Sequence, residues 1–183
     1  MPANLQNQIQ LIIDGRNRRN ELYSAKYCHD RIKEVCQDFI VDPIEGFKSA
    51  NKGFGVDIWM RKDGINYFFD TKTVQSNVGS YSKYFVQIIN WYAYFYSRYP
   101  QSEAFARVVF PYNPYNNANF WDKTIGRGFP LERDSEGWVQ DQFWDFCSGV
   151  PNTYQIILEA FRDISKNGDL KDYFQEVFYG SGS

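Results

Sequence analysis

Three charged side chains interrupt a stretch of sequence that otherwise has the pattern of an apolar β-hairpin. The stretch, VDIWMRKDGINYFFDTKT, spans residues 56–73, and the three residues are Asp57, Asp70 and Lys72. Burying a charged group on a sheet is costly unless another group pairs with it. These residues therefore either face water at the end of the hairpin or have a chemical task.

The centre of the stretch predicts how its two halves pair. The dipeptide Asp63-Gly64 is typical of a two-residue hairpin turn, because both residues tolerate positive φ. Counting outward from this turn along antiparallel strands places Asp57 directly opposite Asp70. Directly opposed residues share a face of the sheet, with Cβ atoms about 5 Å apart. Lys72, two residues beyond Asp70, projects from that same face.

Two carboxylates and an ammonium at this spacing predict metal-assisted hydrolysis. Close carboxylates repel, and one takes up a proton unless a cation neutralises the pair. Mg²⁺ suits such a pair, because it binds one or two carboxylates and keeps sites for water and phosphate oxygens. Lys72 could position or help to deprotonate an attacking water, which together with the metal would hydrolyse a phosphodiester.

A simpler interpretation of the same residues stays open. Asp70 and Lys72 could form an ion pair, or the charges could be solvated at the end of the hairpin. The Asp-x-Lys tripeptide is weak evidence by itself, since a second copy occurs at Asp169-Leu170-Lys171. What favours chemistry is the arrangement of an Asp, a hairpin turn and an apolar strand that leads directly into Asp-Thr-Lys.

The elements around the hairpin predict the fold class. Hydrophobic periodicity, caps and turn residues predict a helix over 4–13, a longer helix from an Asn20 N-cap to about residue 40, the hairpin, a buried helix over 81–98, a strand over 103–110, a loop over 112–137 and short helices over about 139–147, 153–165 and 169–179. This order predicts an α/β fold with a mixed β-sheet flanked by helices and a helical C-terminal part.

Composition limits the classes of function. The 183 residues are 43% hydrophobic and 23% charged with a net charge of −2, as expected for one globular domain rather than a generic basic DNA coat. The single histidine, His29, lies on an apolar helical stripe, which excludes multi-histidine zinc sites and favours a packed side chain. No apolar run approaches membrane length, so we expect a cytoplasmic protein that does not contact membrane.

The spacing Asp57…Asp70-Thr71-Lys72 resembles the PD-(D/E)xK motif of a nuclease superfamily that includes many type II restriction endonucleases. Val56 stands where that motif has a proline that is often absent. The resemblance covers roughly residues 20–110 and implies a restriction-endonuclease-like fold. It also implies that Asp57 and Asp70 bind Mg²⁺ and that Lys72 serves the attacking water. The later segments Asn113-Pro-Tyr and Phe143-Trp-Asp-Phe…Gly149 are similar to a subgroup of short-site restriction enzymes.

The function that this resemblance implies is a Mg²⁺-dependent endonuclease that cuts a short specific site in double-stranded DNA. Residues 1–183 would form a single nuclease domain, with a core over about 20–110 and a C-terminal loop and helical region over about 111–183. Cutting both strands of a palindromic site implies two active sites related by twofold symmetry, and therefore a homodimer. Two alternatives are a structure-specific repair or RNA-processing nuclease and a non-catalytic DNA-binding module with a nuclease-like fold.

Many members of the superfamily also carry a glutamate in the helix before the strands. Glu21 and Glu34 are the candidates, and helical periodicity places Glu21 on the apolar stripe and Glu34 opposite it. Glu21 is therefore the predicted fourth catalytic residue. An alternative role for Glu21 is to stabilise the helix N-terminus through the helix dipole.

Basic and polar residues in loops and helix ends are candidates for contacts with DNA phosphates. Phosphate contacts use lysine, arginine, asparagine and serine side chains and free backbone N–H groups. The predicted DNA-binding residues are Arg18, Arg19, Lys48, Lys52, Asn77 and Lys83.

Overall fold

A computed structural model of the chain describes residues 3–37, 55–73, 76–115 and 118–179. The chain divides into two units, Met1–Val139 and Gln140–Ser183. Its elements, in chain order, are α1 (Ala3–Asn17), α2 (Ala25–Gln37), β1 (Ile58–Lys62), β2 (Ile65–Thr71), α3 (Val78–Arg98), β3 (Ala104–Phe110), α4 (Phe120–Lys123), a 3₁₀ turn (Ile125–Gly128), β4 (Gly137–Val139), α5 (Asp141–Ser148), α6 (Thr153–Asn167) and α7 (Asp169–Tyr179).

The strands form one mixed sheet in the order β1-β2-β3-β4. β1 is antiparallel to β2, whereas β3 runs parallel to β2 and β4 runs parallel to β3. The long helix α3 makes the crossover between the parallel strands β2 and β3, as parallel pairing requires. The predicted α/β class, with a mixed sheet flanked by helices, is confirmed.

The register of the β1–β2 hairpin is the predicted one. Pairing runs from Lys62 opposite Ile65 at the turn to Ile58 opposite Phe69 at the other end. Asp63 and Gly64 both have positive φ, at 52° and 81°, which is the conformation that a tight hairpin turn requires. The turn chemistry and the alternation of apolar residues therefore specify the same register.

The core is formed by the sheet, α3 and the buried faces of α1 and α2. Phe68 of β2 packs edge-on against the rings of Trp91 and Phe95, at centroid distances of 6.4 and 5.2 Å. On β3 the residues facing α3 include Ala104 and Ala106, both fully buried, whose small side chains let the helix approach closely.

Two tyrosines of α3 accept hydrogen bonds from backbone amides in the N-terminal half of β3. Strand β4 pairs only with the C-terminal half of β3 and does not reach these amides. The hydroxyl of Tyr96 accepts from the amide of Ala104 at 3.1 Å, and the hydroxyl of Tyr92 accepts from the amide of Ala106 at 2.9 Å. His29 is buried here, with Nε2 2.6 Å from the Tyr96 hydroxyl and 3.0 Å from the Ala104 carbonyl oxygen. The packed role predicted for this histidine is confirmed, and the strand keeps no unsatisfied amide at these positions.

The start of the second helix was predicted wrongly. α2 begins at Ala25 rather than after Asn20, because Ser24 is the N-cap and its hydroxyl accepts from the amide of Tyr27 at 3.2 Å. Asn20 instead closes a turn, in which its side chain accepts from the amide of Leu22 at 3.1 Å. Glu21 therefore lies exposed in the turn between α1 and α2, without the helix that was expected to direct it toward the sheet.

The segment predicted as a loop ends in the first residue of strand β4. It also contains Glu136, which forms a buried ion pair with Arg16. Arg16, near the end of α1, donates to Glu136 just before β4 at 2.9 Å, and both side chains are buried. The Arg16 guanidinium also lies 4.8 Å from the centre of the Phe85 ring. Burial raises the pKa of Glu136 to about 7, although the Arg16 charge and the Glu132 amide act to lower it. This pair links α1, α3 and the entry to β4.

The three C-terminal helices were predicted correctly in number and place. Asp145 of α5 accepts from the amides of Asn152 and Thr153, at 3.1 and 2.8 Å, and thereby caps the start of α6. Gly168, with φ of 79°, ends α6 and lets the chain turn into α7. Within the described residues, no helix combines the length and apolar composition needed to cross a membrane.

The buried ion pair predicts a large and pH-dependent stability effect. We expect Arg16→Met to lower the free energy of unfolding by about 3–5 kcal/mol at pH 8, because it leaves Glu136 buried without its cation. The loss should be smaller at pH 5.5. The pKa of Glu136 is higher in the folded protein than in the unfolded chain, so the folded protein loses stability as pH rises from the unfolded pKa to the folded one. Removing Arg16 raises the folded pKa further, so the variant loses most stability at the pH values where Glu136 would be ionised. Urea denaturation at the two pH values measures both effects.

Arg18→Met is the matched control, since Arg18 lies two residues away and is exposed. It should change the free energy of unfolding by less than about 0.5 kcal/mol. Equal losses in the two variants would contradict a structural role for Arg16.

Candidate active site

Asp57 and Asp70 lie together at the open end of the hairpin. Extending the β1–β2 register by one residue beyond Ile58 and Phe69 places them opposite each other. Asp70 belongs to β2 and is only 3% exposed, whereas Asp57 lies in an exposed bend before β1. Each carboxyl group is close enough to affect the pKa of the other. The predicted convergence of the carboxylates is therefore confirmed.

Lys72 completes the cluster from the end of β2. Its Nζ lies 2.6 Å from Oδ2 of Asp70 and 5.1 Å from the centre of the Tyr84 ring on α3. The Tyr84 hydroxyl is in turn 2.8 Å from the hydroxyl of Ser76. The backbone of Lys72 is held as well, since its amide donates to the carbonyl of Val109 at 2.8 Å. Sheet and helix thus both position this ammonium group.

The two carboxylates have opposite electrostatic environments. Burial raises the pKa of Asp70, and the neighbouring Asp57 adds to this, while the Lys72 ammonium acts to lower it. Burial also acts to raise the pKa of Asp57, but hydrogen bonds from Thr71 and Asp70 and the charge of Lys72 outweigh it and leave that pKa below its ordinary value. The pKa values of the two carboxyl groups are therefore shifted in opposite directions, and Asp70 is the one that holds its proton to higher pH.

The geometry fits a divalent cation that prefers oxygen ligands. Oδ2 of Asp70 is buried with the Lys72 ammonium 2.6 Å away, and the ligand atoms that the pair of aspartates presents are carboxylate oxygens, the type that Mg²⁺ prefers. In the described part of the chain no group of three histidine, cysteine, aspartate or glutamate side chains is arranged to hold a metal. A pair of carboxylates is nevertheless sufficient for Mg²⁺, which commonly keeps several waters and takes phosphate oxygens as further ligands.

The structure brings neither glutamate candidate into this cluster. Glu21 is exposed in the turn after α1, and Glu34 lies on the exposed side of α2, where it pairs with Arg31 at 2.7 Å. The prediction for Glu21 relied on helical periodicity, but α2 begins at Ala25 and does not include Glu21. The described residues therefore supply Asp57, Asp70 and Lys72 to the site, without a third carboxylate.

The predicted DNA-binding residues have different surroundings. Arg18 and Lys83 are exposed, and the exposed Arg19 lies with its guanidinium 4.5 Å from the centre of the Phe129 ring. The side chain of Asn77 caps α3 by accepting from the amide of Ser80 at 2.9 Å. Lys48 and Lys52 lie outside the described residues.

One residue of the cluster was missed in the sequence. The amide and the hydroxyl of Thr71 both donate to Oδ2 of Asp57, at 2.8 and 3.1 Å. The only signal in the sequence was its position between Asp70 and Lys72, where the superfamily pattern accepts any residue.

A second concave region of the fold is lined by charged side chains. A cavity of about 450 Å³ lies among α2, the start of β3 and the turn before β4. Several carboxylates of its lining already have cationic partners: Asp30 has Lys26, Glu103 has Lys33 and Glu136 has Arg16. Such paired side chains indicate structural ion pairs, and the open end of the hairpin is the better candidate.

Comparison with known proteins gives a match to a family model. No curated protein and no solved structure matches the chain significantly. The model of one protein family, described as type II restriction endonuclease, HinfI, matches residues 1–165. This match includes the whole β1–β2 hairpin and α3, and it extends over most of the chain. The chain therefore belongs to the HinfI family of type II restriction endonucleases.

Proposed function

We propose that this protein is a Mg²⁺-dependent endonuclease that hydrolyses phosphodiester bonds at a short specific site in double-stranded DNA. Asp57, Asp70 and Lys72 would be its catalytic residues, within a single nuclease domain of restriction-endonuclease-like fold. The observation that carries the proposal is the convergence of these three side chains at the end of the hairpin, in a chain of the HinfI family.

The two aspartates would hold the metal ion. When bound, Mg²⁺ would supply positive charge to the phosphate and lower the pKa of a water molecule. Asp70 is buried, so its carboxylate is confined to one direction, whereas Asp57 reaches the same point from the exposed bend. A bound cation would add to the Lys72 ammonium as a positive partner of the buried Asp70 carboxylate.

Lys72 would act on the attacking water. Its Nζ lies beside Asp70, and the face of Tyr84 limits the directions that the side chain can take. An ammonium group there can orient the water by hydrogen bonding and stabilise the negative charge that develops on the phosphate. The side chain is 26% exposed, which leaves it accessible to a substrate.

The exposed basic residues would contact the DNA backbone. Arg18 and Lys83 are available for phosphate contacts, whereas Asn77 would contribute through the helix end that it caps. Cutting both strands requires two sites, and the described residues hold one Asp–Asp–Lys cluster. A homodimer with twofold symmetry would supply the second.

Digestion of plasmid DNA distinguishes this function from its alternatives. Purified protein with Mg²⁺ should produce discrete fragments that sequence to one short site. A smear of fragments would favour a structure-specific or repair nuclease. Intact DNA that is nevertheless retarded on a gel would favour a non-catalytic binding module and would contradict the proposal.

Asp70→Asn should abolish cleavage without weakening the fold. The substitution removes a metal-binding charge, and we expect the single-turnover cleavage rate to fall about 10²-fold or more. It also removes the repulsion between two close carboxylates, so the melting temperature should stay the same or rise. Cleavage assays and thermal melts on the same preparation measure the two effects.

Asp169→Asn is the matched control, because Asp169 occupies the same place in the second Asp-x-Lys tripeptide. It should cleave DNA at the wild-type rate. Undiminished cleavage by the Asp70 variant would remove Asp70 from the active site.

Lys72→Met should separate catalysis from ion pairing. If Lys72 acts on the attacking water, the single-turnover rate should fall by roughly 10²-fold, while DNA binding in Ca²⁺ persists because both aspartates remain. Lys72→Arg should not restore the rate, since a planar guanidinium does not reproduce the geometry of an ammonium. Single-turnover cleavage in Mg²⁺ and gel-shift binding in Ca²⁺ test both variants.

A simple ion pair gives a different result. In that case Lys72→Met would cost at most about 1 kcal/mol of stability and leave the cleavage rate unchanged. Lys171→Met, in the second tripeptide, is the control for loss of a lysine elsewhere. Equal rates for all four proteins would leave Lys72 without a catalytic role.

A further inference from the structure

The position of Asp57 is not set by the sheet. β1 begins at Ile58, so Asp57 lies one residue outside the hydrogen-bonded ladder, in an exposed bend. A side chain in such a bend has many accessible directions. Asp70, by contrast, is part of β2 and buried. Something other than strand pairing must hold Asp57 if it is to act at a fixed point.

The end of β2 offers an amide for that purpose. Along β2 the amides alternate in direction, and those of Asn66 and Lys72 donate toward β3, to Glu103 and Val109. The amide of Thr71 therefore points the other way, toward the edge where β1 would continue. No strand carbonyl pairs with it there, and Oδ2 of Asp57 accepts its hydrogen bond at 2.8 Å.

The hydroxyl of Thr71 adds a second donor to the same oxygen. It donates to Oδ2 of Asp57 at 3.1 Å, so two donors from one residue converge on a single carboxylate oxygen. Two donors from a rigid strand residue restrict the rotation of the carboxylate much more than one does. The other oxygen, Oδ1, lies outside this arrangement.

We propose that Thr71 is a positioning residue that holds Asp57 in the orientation required for binding the metal ion. Its hydroxyl and amide fix Oδ2, and Oδ1 would then be the oxygen left for the metal ion. The side chain at this position thus contributes to metal affinity although it does not touch the metal. This inference rests on the proposed function, in which Asp57 and Asp70 bind the cation.

The test is direct binding of Mn²⁺, which takes oxygen ligands and has an electron paramagnetic resonance signal. The variants are Thr71→Val, which removes the hydroxyl and keeps the shape, and Thr71→Ser, which restores the hydroxyl. Valine is well tolerated in strands, so the fold should persist, and a thermal melt verifies this. Loss of a hydrogen-bond partner behind a metal ligand typically costs 10- to 100-fold in affinity. Because the Thr71 amide still donates in the valine variant, we expect a loss of about 10-fold.

Thr71→Ser should recover most of the affinity, and Thr73→Val is the matched control. Thr73 is exposed two residues further along, so the same substitution there should leave Mn²⁺ binding unchanged. Equal Mn²⁺ affinity in the wild type and Thr71→Val would overturn the proposal. So would absence of Mn²⁺ binding by the wild type, or failure of serine to restore it.

Plasmid cleavage in Mg²⁺, measured on the same proteins, keeps the two proposals distinguishable. A wild-type protein that binds Mn²⁺ with the expected dependence on residue 71 but cuts no DNA would contradict the nuclease function and support the positioning role. Cleavage with equal Mg²⁺ dependence in the wild type and Thr71→Val would support the nuclease function and contradict the positioning role of Thr71.

Discussion

The close approach of two carboxylates is the constraint on which the site depends. Asp57 and Asp70 lie opposite each other in the hairpin register, and Asp70 is almost fully buried, so negative charge on both is costly in the free protein. The protein offsets this cost with the ammonium of Lys72 on one carboxylate and two donors of Thr71 on the other. A bound divalent cation would neutralise the remaining repulsion between the carboxylates. The arrangement that is costly without a metal ion is therefore suited to binding one.

The rest of the fold can be understood as support for that contact. The tight Asp63-Gly64 turn sets the hairpin register and so brings the two carboxylates together. β3 lies on the other side of β2, and its Val109 carbonyl holds the backbone of Lys72. α3 supplies the buried face beneath β2, as well as the Tyr84 ring beside the lysine. Short-range turn chemistry and long-range packing therefore act on the same few side chains.

The hairpin and the positions of its charged residues could be predicted from sequence. The Asp63-Gly64 turn sets which residues pair, and side chains alternate between the two faces of a strand. The same kind of reasoning failed for Glu21, where it assigned the N-cap to Asn20 although Ser24 starts the helix. β4 has only three residues, and they fall at the predicted boundary between the loop over 112–137 and the helix over about 139–147, where no strand is predicted. The Arg16–Glu136 pair joins residues 120 positions apart, and local patterns contain no information about such a contact. Thr71 was missed because its role depends on the bend that places Asp57 outside the ladder.

The central claim of the proposed function is that the metal ion and the scissile phosphate meet at the open end of the hairpin. A crystal structure of the protein with Mn²⁺ and a duplex that contains the cleaved sequence would test that claim by anomalous scattering. We expect one anomalous peak within about 2.2 Å of a carboxylate oxygen of Asp57 and of Asp70. The scissile phosphate should lie against the same ion, with Lys72 beside it. An ion bound by other residues, with the open end of the hairpin remote from the DNA, would contradict the account.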